Sequence, residues 1–320
     1  MLAEVVRSGF TESRHRGLAV ALAADGSVLL AAGAVDEPVF PRSSNKPMQA
    51  AAMVRLGLGL EGKLLALAAA SHSGEDYHVA GVREILAGAG LTEAALQTPP
   101  DLPLDEDAAR AHILSGGTPD SVHMNCSGKH AAMLATCVVN GWPTETYTDP
   151  EHPLQVHIRN VVSELAAEPV AAVGVDGCGA PLMAISVHGL ARAFRAIVTA
   201  ADSTPERKVA DAMRAYPEWT SGTTRSERLL MDAVPGLLLK GGAEGVDGFA
   251  LADGRAGGVK IDDGAARGRV PVTVSLLRAL GAERDPGVDT ARLAELAETP
   301  VFGGGRVVGA ILAVPVRAVR

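Results

Sequence analysis

Serine and lysine stand three residues apart in Arg42-Ser43-Ser44-Asn45-Lys46. On a helix, residues at that spacing share a face, so Ser43 Oγ and Lys46 Nζ can meet. A serine hydroxyl attacks a carbonyl only when a base removes its proton. Lysine serves as that base once its pKa falls from ~10.4 toward neutrality, and burial or a neighbouring positive charge drives the fall. Arg42 is one source of such charge, and a second lysine nearby is another. The chemistry to expect is acyl transfer, with Ser43 as nucleophile and Lys46 as base. The same four residues also describe a plain helix start with serine as its cap, so the pair needs company.

Company comes from Ala70-Ser71-His72-Ser73-Gly74-Glu75, where Ser71 leaves an apolar helix for a glycine-containing turn and is placed to line a pocket. Gly74 serves equally as an ordinary helix stop, and His72 is either a base or a group bonded to nearby backbone. Gly241-Gly242-Ala243-Glu244-Gly245-Val246 is a further candidate segment, as is the one around Lys260. Lys260 lies in a strand between Val259 and Ile261, and alternation sends its side chain to the opposite face. That face is either solvent or a cleft in which Lys260 is the second lysine for a second serine. Lysine is scarce here, six among 29 basic residues; unlike arginine it can be tuned to a neutral base.

Cysteine provides the other constellation, Asn125-Cys126-Ser127-Gly128-Lys129-His130 with Asp176-Gly177-Cys178-Gly179. Zinc usually takes four Cys, His or carboxylate ligands, and this spacing is not a standard zinc pattern. Two buried cysteines and a nucleophilic cysteine partnered by His130 are the other readings. Asp176 is an acid able to fix a substrate amine.

The elements that must position these groups follow from periodicity and punctuation. Residues 17–34 read as two apolar runs joined at Asp25-Gly26, a hairpin signal. A helix begins near Ser43 or Ser44, with Pro47 in its first turn. Helices are expected over 61–70 and 76–89, with loops at 98–103 and 115–120. Ser127 opens a helix that closes at Gly141, and PVAAVGVD is expected to be a short buried strand ending at the Asp176–Gly179 tip. Further helices fall at about 188–201, 204–215, 225–233, 268–281 and 289–297, and strands near 247–252, 256–261 and 306–315. Strands at both ends with helices between give an α+β class, the terminal strands completing one mixed sheet beside a helical lobe. Residues 1–320 read as one catalytic unit.

Composition narrows the functions. The chain has 320 residues, 47% of them hydrophobic, enough for a sizeable core. A net charge of −8 without a basic run argues against nucleic acid. No apolar run approaches the ~20 residues of a membrane span. The opening MLAEVVRSGF has no basic start followed by a long apolar stretch, and three cysteines make no disulfide framework, so a cytoplasmic protein is expected.

In order along the chain, VVRSGFTESRHRG, VFPRSSNKPMQ, ASHSGE, NCSGKHAAML, DGCGAP, KGGAEGVDGFA and GGVKIDDGAARGR resemble the L-asparaginase II family, which is unrelated to the threonine-dependent bacterial asparaginases. The resemblance implies a fold similar to that of serine β-lactamases and serine-dependent glutaminases. It implies hydrolysis of L-asparagine to L-aspartate and ammonia through two Ser-Lys pairs, which look like Ser43 with Lys46 and Ser71 with Lys260. Arg42 and Asp176 match residues assigned to the active site, and His72 is placed with them as substrate-binding. Zinc bound through Cys126, Lys129 and Cys178 is implied, as is a homodimer. Two rivals stand beside this reading: another acyl-serine hydrolase acting on glutamine, a peptide or a β-lactam, and a zinc-stabilised binding module without activity.

Overall fold

The computed structural model describes residues 1–316. Strands β1 (Ala3–Arg7), β2 (Phe10–His15), β3 (Gly17–Leu22), β4 (Val28–Ala32) and β5 (Pro38–Val39) open the chain. The β3–β4 hairpin turns where expected: Gly26 takes φ +92° and Asp25 Oδ1 accepts the Ser27 amide at 2.9 Å. Helices α1 (Lys46–Arg55), α2 (Gly62–Ala68), α3 (Asp76–Gly88), α4 (Glu106–Leu114), α5 (Ser127–Val139) and α6 (Pro153–Ala166) follow. α6 has no counterpart among the expected elements. Its signals are plain in retrospect, with His152 as cap, Pro153 at the first position, and Leu154, Ile158, Val161, Val162 and Leu165 buried at helical spacing.

After β6 (Ala172–Val175) and β7 (Pro181–Ser186) come α7 (Val187–Thr199), α8 (Pro205–Ala215), α9 (Pro217–Thr220) and α10 (Ser226–Ala233). Strands β8 (Leu238–Gly242), β9 (Val246–Ala250) and β10 (Ala256–Ile261) form a meander. Helices α11 (Arg269–Ala279) and α12 (Thr290–Leu296) and strands β11 (Glu298–Gly303) and β12 (Arg306–Ala313) complete the order.

The class is α+β, as expected, and the sheet arrangement is more divided than one mixed sheet. The strands form three sheets, in the orders β11-β12-β1-β2, β4-β3-β10-β9-β8 and β5-β7-β6. Every described strand pairing is antiparallel. The first and last strands therefore pair with each other, Ala3 opposite Ala313, while β3 inserts beside β10.

Both faces of the five-stranded sheet are covered. Val20, Leu22, Leu238 and Val246 pack with Met48, Leu67 and Phe194 from the helices. Their neighbours Ala21, Leu239, Phe249 and Val259 pack on the other side with Leu276 of α11 and Val5 of β1. Period-2 alternation thus sorts each strand between two apolar layers, so its sequence reads apolar throughout. Polar side chains on the α1-facing side of this sheet are exceptions that need a reason, and Lys240 is one of them.

Candidate active site

Residues Arg42–Asn45 wind into one tight 3-10 turn ahead of α1. Arg42 has φ +52°, a left-handed conformation that costs a non-glycine residue about 1–3 kcal/mol and collects at functional sites. Lys46 is the first residue of α1 and is 1% exposed. Its Nζ donates to Ala70 O at 2.5 Å, Ser71 Oγ at 2.9 Å and Cys126 Sγ at 3.0 Å. The lysine of the Ser43-x-x-Lys46 motif thus touches the second serine, at the end of α2, and the cysteine that opens α5. Ser43 is half-buried on the same turn and is not one of these three partners.

Ser71 was expected to pair with Lys260, and the hydrogen bonds of the two residues run elsewhere. Lys260 faces away from Val259 and Ile261, as alternation requires, but its Nζ donates to Glu244 O at 2.8 Å and Ile261 O at 2.5 Å. It lines a cavity of about 490 Å³ together with Arg42 and Glu244. Lys260 is therefore at the rim, and Ser71 is served by Lys46.

A further buried lysine is Lys240 of β8, which had not been singled out as a site residue. It is 1% exposed, and its Nζ donates to Gly241 O at 2.7 Å. Burial, then the nearby charge of Lys46, lowers its pKa to about 7. The strand can press this close because Gly242 has no side chain: a Cβ there would lie 2.7 Å from Pro41 O and 3.1 Å from the amides of Ser43 and Ser44. A lysine closing the apolar run Leu237–Leu239 and followed by two glycines was the available signal.

Arg42 and Asp176 meet as expected, Nε to Oδ1 at 2.7 Å, and Asp176 also accepts the Gly177 amide at 2.9 Å. Glu244 stands 3.8 Å from the other side of the guanidinium. His72 does not line a binding surface. It is fully buried, its Nδ1 accepts the Gly74 amide at 3.1 Å, and its Nε2 contacts Ser127 Oγ at 2.8 Å. Ser127 gives its own proton to Val122 O at 2.7 Å, so Nε2 is the donor and the ring is neutral. Burial holds its pKa well below the ordinary histidine value. His72 braces the turn that carries Ser71, and its expected place among substrate-binding residues is withdrawn.

Behind this group, Cys126 and Cys178 are free and buried; Cys126 Sγ donates to Asn125 Oδ1 at 3.2 Å, and Lys129 Nζ donates to Cys178 Sγ at 3.1 Å. The neighbouring Cys126 thiol, with the Lys129 ammonium, lowers the pKa of Cys178 against the pull of burial. The neighbouring Cys178 sulfur and burial raise that of Cys126. Burial opposes the charge of Lys129, but the two sulfurs outweigh it and raise its pKa. His130 donates or accepts at Nδ1 with Tyr147 Oη, 2.7 Å away, and its Nε2 is buried beside Cys178 with no hydrogen-bond partner. The thiols of Cys126 and Cys178, the Lys129 nitrogen and the orphaned His130 Nε2 are donors of the kind a borderline cation such as zinc accepts.

Comparison with known proteins adds three findings. The sequence matches the model of the family described as L-asparaginase II over residues 3–313. A search of curated proteins finds no match. Among solved structures, the native form of a protein named Mglu is 14% identical with a TM-score of 0.44, the match covering 88% of this chain and 68% of that one. A second structure of Mglu is 16% identical with a TM-score of 0.46, covering 89% and 73%. A protein from Bacteroides dorei DSM 17855, provisionally assigned as a beta-lactamase, is 16% identical with a TM-score of 0.45, covering 84% and 94%.

Proposed function

Because the chain belongs to the L-asparaginase II family and is an amidohydrolase, we propose that it hydrolyses the side-chain amide of L-asparagine to L-aspartate and ammonia through an acyl-serine intermediate. The observation that supports this reading is Lys46, buried between Ser71 Oγ and Cys126 Sγ on the segment that carries Ser43.

Ser43 is the nucleophile. It is the more open of the two serines, since Ser71 is only 7% exposed and already engaged by Lys46. Lys46 takes the Ser43 proton as Oγ bonds to the amide carbon. The tetrahedral intermediate collapses with cleavage of the C–N bond, and the proton passes by way of Ser71 to the leaving nitrogen, which departs as ammonia. Water then attacks the ester, giving up a proton to the same amine, and the C–Oγ bond breaks to release aspartate and restore Ser43. Backbone amides of the 3-10 turn are the donors nearest the developing oxyanion. Arg42 and Asp176 hold the α-carboxylate and α-ammonium of the amino acid.

Cys126, Cys178 and Lys129 would hold zinc. When bound, the ion supplies a fixed positive charge beside the catalytic amine. A homodimer belongs to the same proposal and is read by sedimentation velocity.

Rapid quench with asparagine followed by mass spectrometry of the peptides tests the assignment. The acyl adduct is expected on the peptide carrying Ser43; an adduct confined to Ser71 overturns it. Ammonia release from asparagine, glutamine and a β-lactam sets the substrate. Preference for glutamine or the β-lactam would replace the asparaginase reading, with the acyl-serine chemistry retained.

A further inference from the structure

A second group of nitrogen ligands lies away from the serines and lysines. His112 ends α4 and His123 precedes α5, and their rings face each other with centroids 4.2 Å apart and planes tilted by 46°. His112 Nε2 is 3.0 Å from Thr118 O. A carbonyl only accepts, so that nitrogen carries the proton and Nδ1 keeps its lone pair. His123 Nδ1 is 2.8 Å from both oxygens of Asp120. The carboxylate also only accepts, so this proton sits on Nδ1 and leaves Nε2 bare.

Asp120 is itself fixed, its Oδ1 accepting the amides of Val122 at 3.1 Å and His123 at 2.9 Å. An imidazole whose N–H rests on a held carboxylate has its ring aimed and its other nitrogen made a better ligand. The His112 ring is held as closely. A Cβ at Gly117 would come within 2.4 Å of it, so the loop closes over the imidazole only with glycine there. One ligand atom from each of His112, Asp120 and His123 lies within 4.8 Å of the others; bonds of ~2.0–2.2 Å hold ligands no more than about 4.4 Å apart, so a bound cation draws the three side chains slightly together. Both histidines line a cavity of about 620 Å³ whose wall also carries Glu75, Asp105 and Asp107. That wall favours positive charge and leaves room for water as the remaining ligands.

We propose that His112 and His123, with Asp120 oriented behind or beside them, form a site for a divalent transition-metal ion of the zinc, nickel or cobalt class. Imidazole nitrogen selects this class over calcium or magnesium. The ion ties the end of α4 to the segment that runs on into Cys126, and so braces the approach to Lys46 without taking part in acyl transfer. The proposal does not depend on the reaction proposed above.

Cobalt(II) distinguishes this site from the cysteine cluster, because thiolate ligation gives an intense charge-transfer band and nitrogen–oxygen ligation does not. The full-length protein, stripped by chelator and kept reduced, is titrated with Co²⁺ by calorimetry and absorbance. One equivalent is expected to bind without the thiolate band. His112→Gln and His123→Gln should each weaken that step by about tenfold or more while leaving the thiolate step unchanged. The wild-type Co²⁺ protein should also show two paramagnetically shifted ring N–H resonances, a readout that needs no variant to fold. Absence of a step free of the thiolate band, or the same step at full strength in both variants, overturns the site.

Discussion

Chemistry at the scale of single residues turns on which amine meets which hydroxyl. Ser43 and Lys46 were visible as a spaced pair, and so was the importance of Ser71, Arg42 and Asp176. The partner of each serine was not visible, because it depends on how the end of α2 packs against the start of α1. Lys46 reaches 25 positions along the chain to Ser71, a contact that no local pattern encodes. Lys260 drew attention through alternation, and burial lowers its pKa; Lys240 is the more deeply buried amine and its pKa falls to about 7. Its value of about 7 sets the pH dependence. The neutral form is favoured above that pH, so kcat/KM should rise through about 7 and fall away below it. Lys240→Met should remove this limb from the pH–rate profile and lower kcat by about 10²-fold or more. Lys240→Arg, which keeps a charge it cannot lose, should be no better. Retention of the limb in either variant would assign it to another group.

Elements place these residues to within a few tenths of an ångström, and glycine sets the tolerance where β8 meets the catalytic turn. The sequence reading located α1, α2, α5, α7 and the β3–β4 hairpin, since caps, prolines and apolar periods mark them locally. The strands were not separable into sheets, because apart from Lys240, Asp247 and Lys260 the central sheet presents apolar or small residues to both layers and alternation then gives little register. Gly242→Ala should test the closeness of β8 to the turn. A methyl group 2.7 Å from Pro41 O must push strand and turn apart. Such a shift should lower kcat by about 10²-fold, as a displacement of ~1 Å can, while the far-ultraviolet circular dichroism stays that of the wild type. Unchanged kcat would show that the turn is free to retreat without cost.

Across the whole molecule, the central sheet has the buried lysines Lys46 and Lys240 on one side and a buried ionic cluster on its other side. Arg269 bonds Asp247 and approaches Glu227 at 3.4 Å, and Thr273 donates to Asp247 at 2.7 Å. Arg269→Ala leaves the buried Asp247 carboxylate without its cation, while Glu227 keeps Arg225 at 3.5 Å; the loss should cost about 3–5 kcal/mol, read by chemical denaturation. Glu227 also contributes to raising the pKa of Lys240, against the opposing charges of Arg225 and Arg269. A single layer of peptide is transparent to such fields. Glu227→Gln should therefore slide the acid limb of the activity profile to lower pH, although residue 227 never meets the substrate. The rear of the sheet acts as a remote bias on the reaction at its front, and a change made for thermal robustness there would retune the working pH of the enzyme.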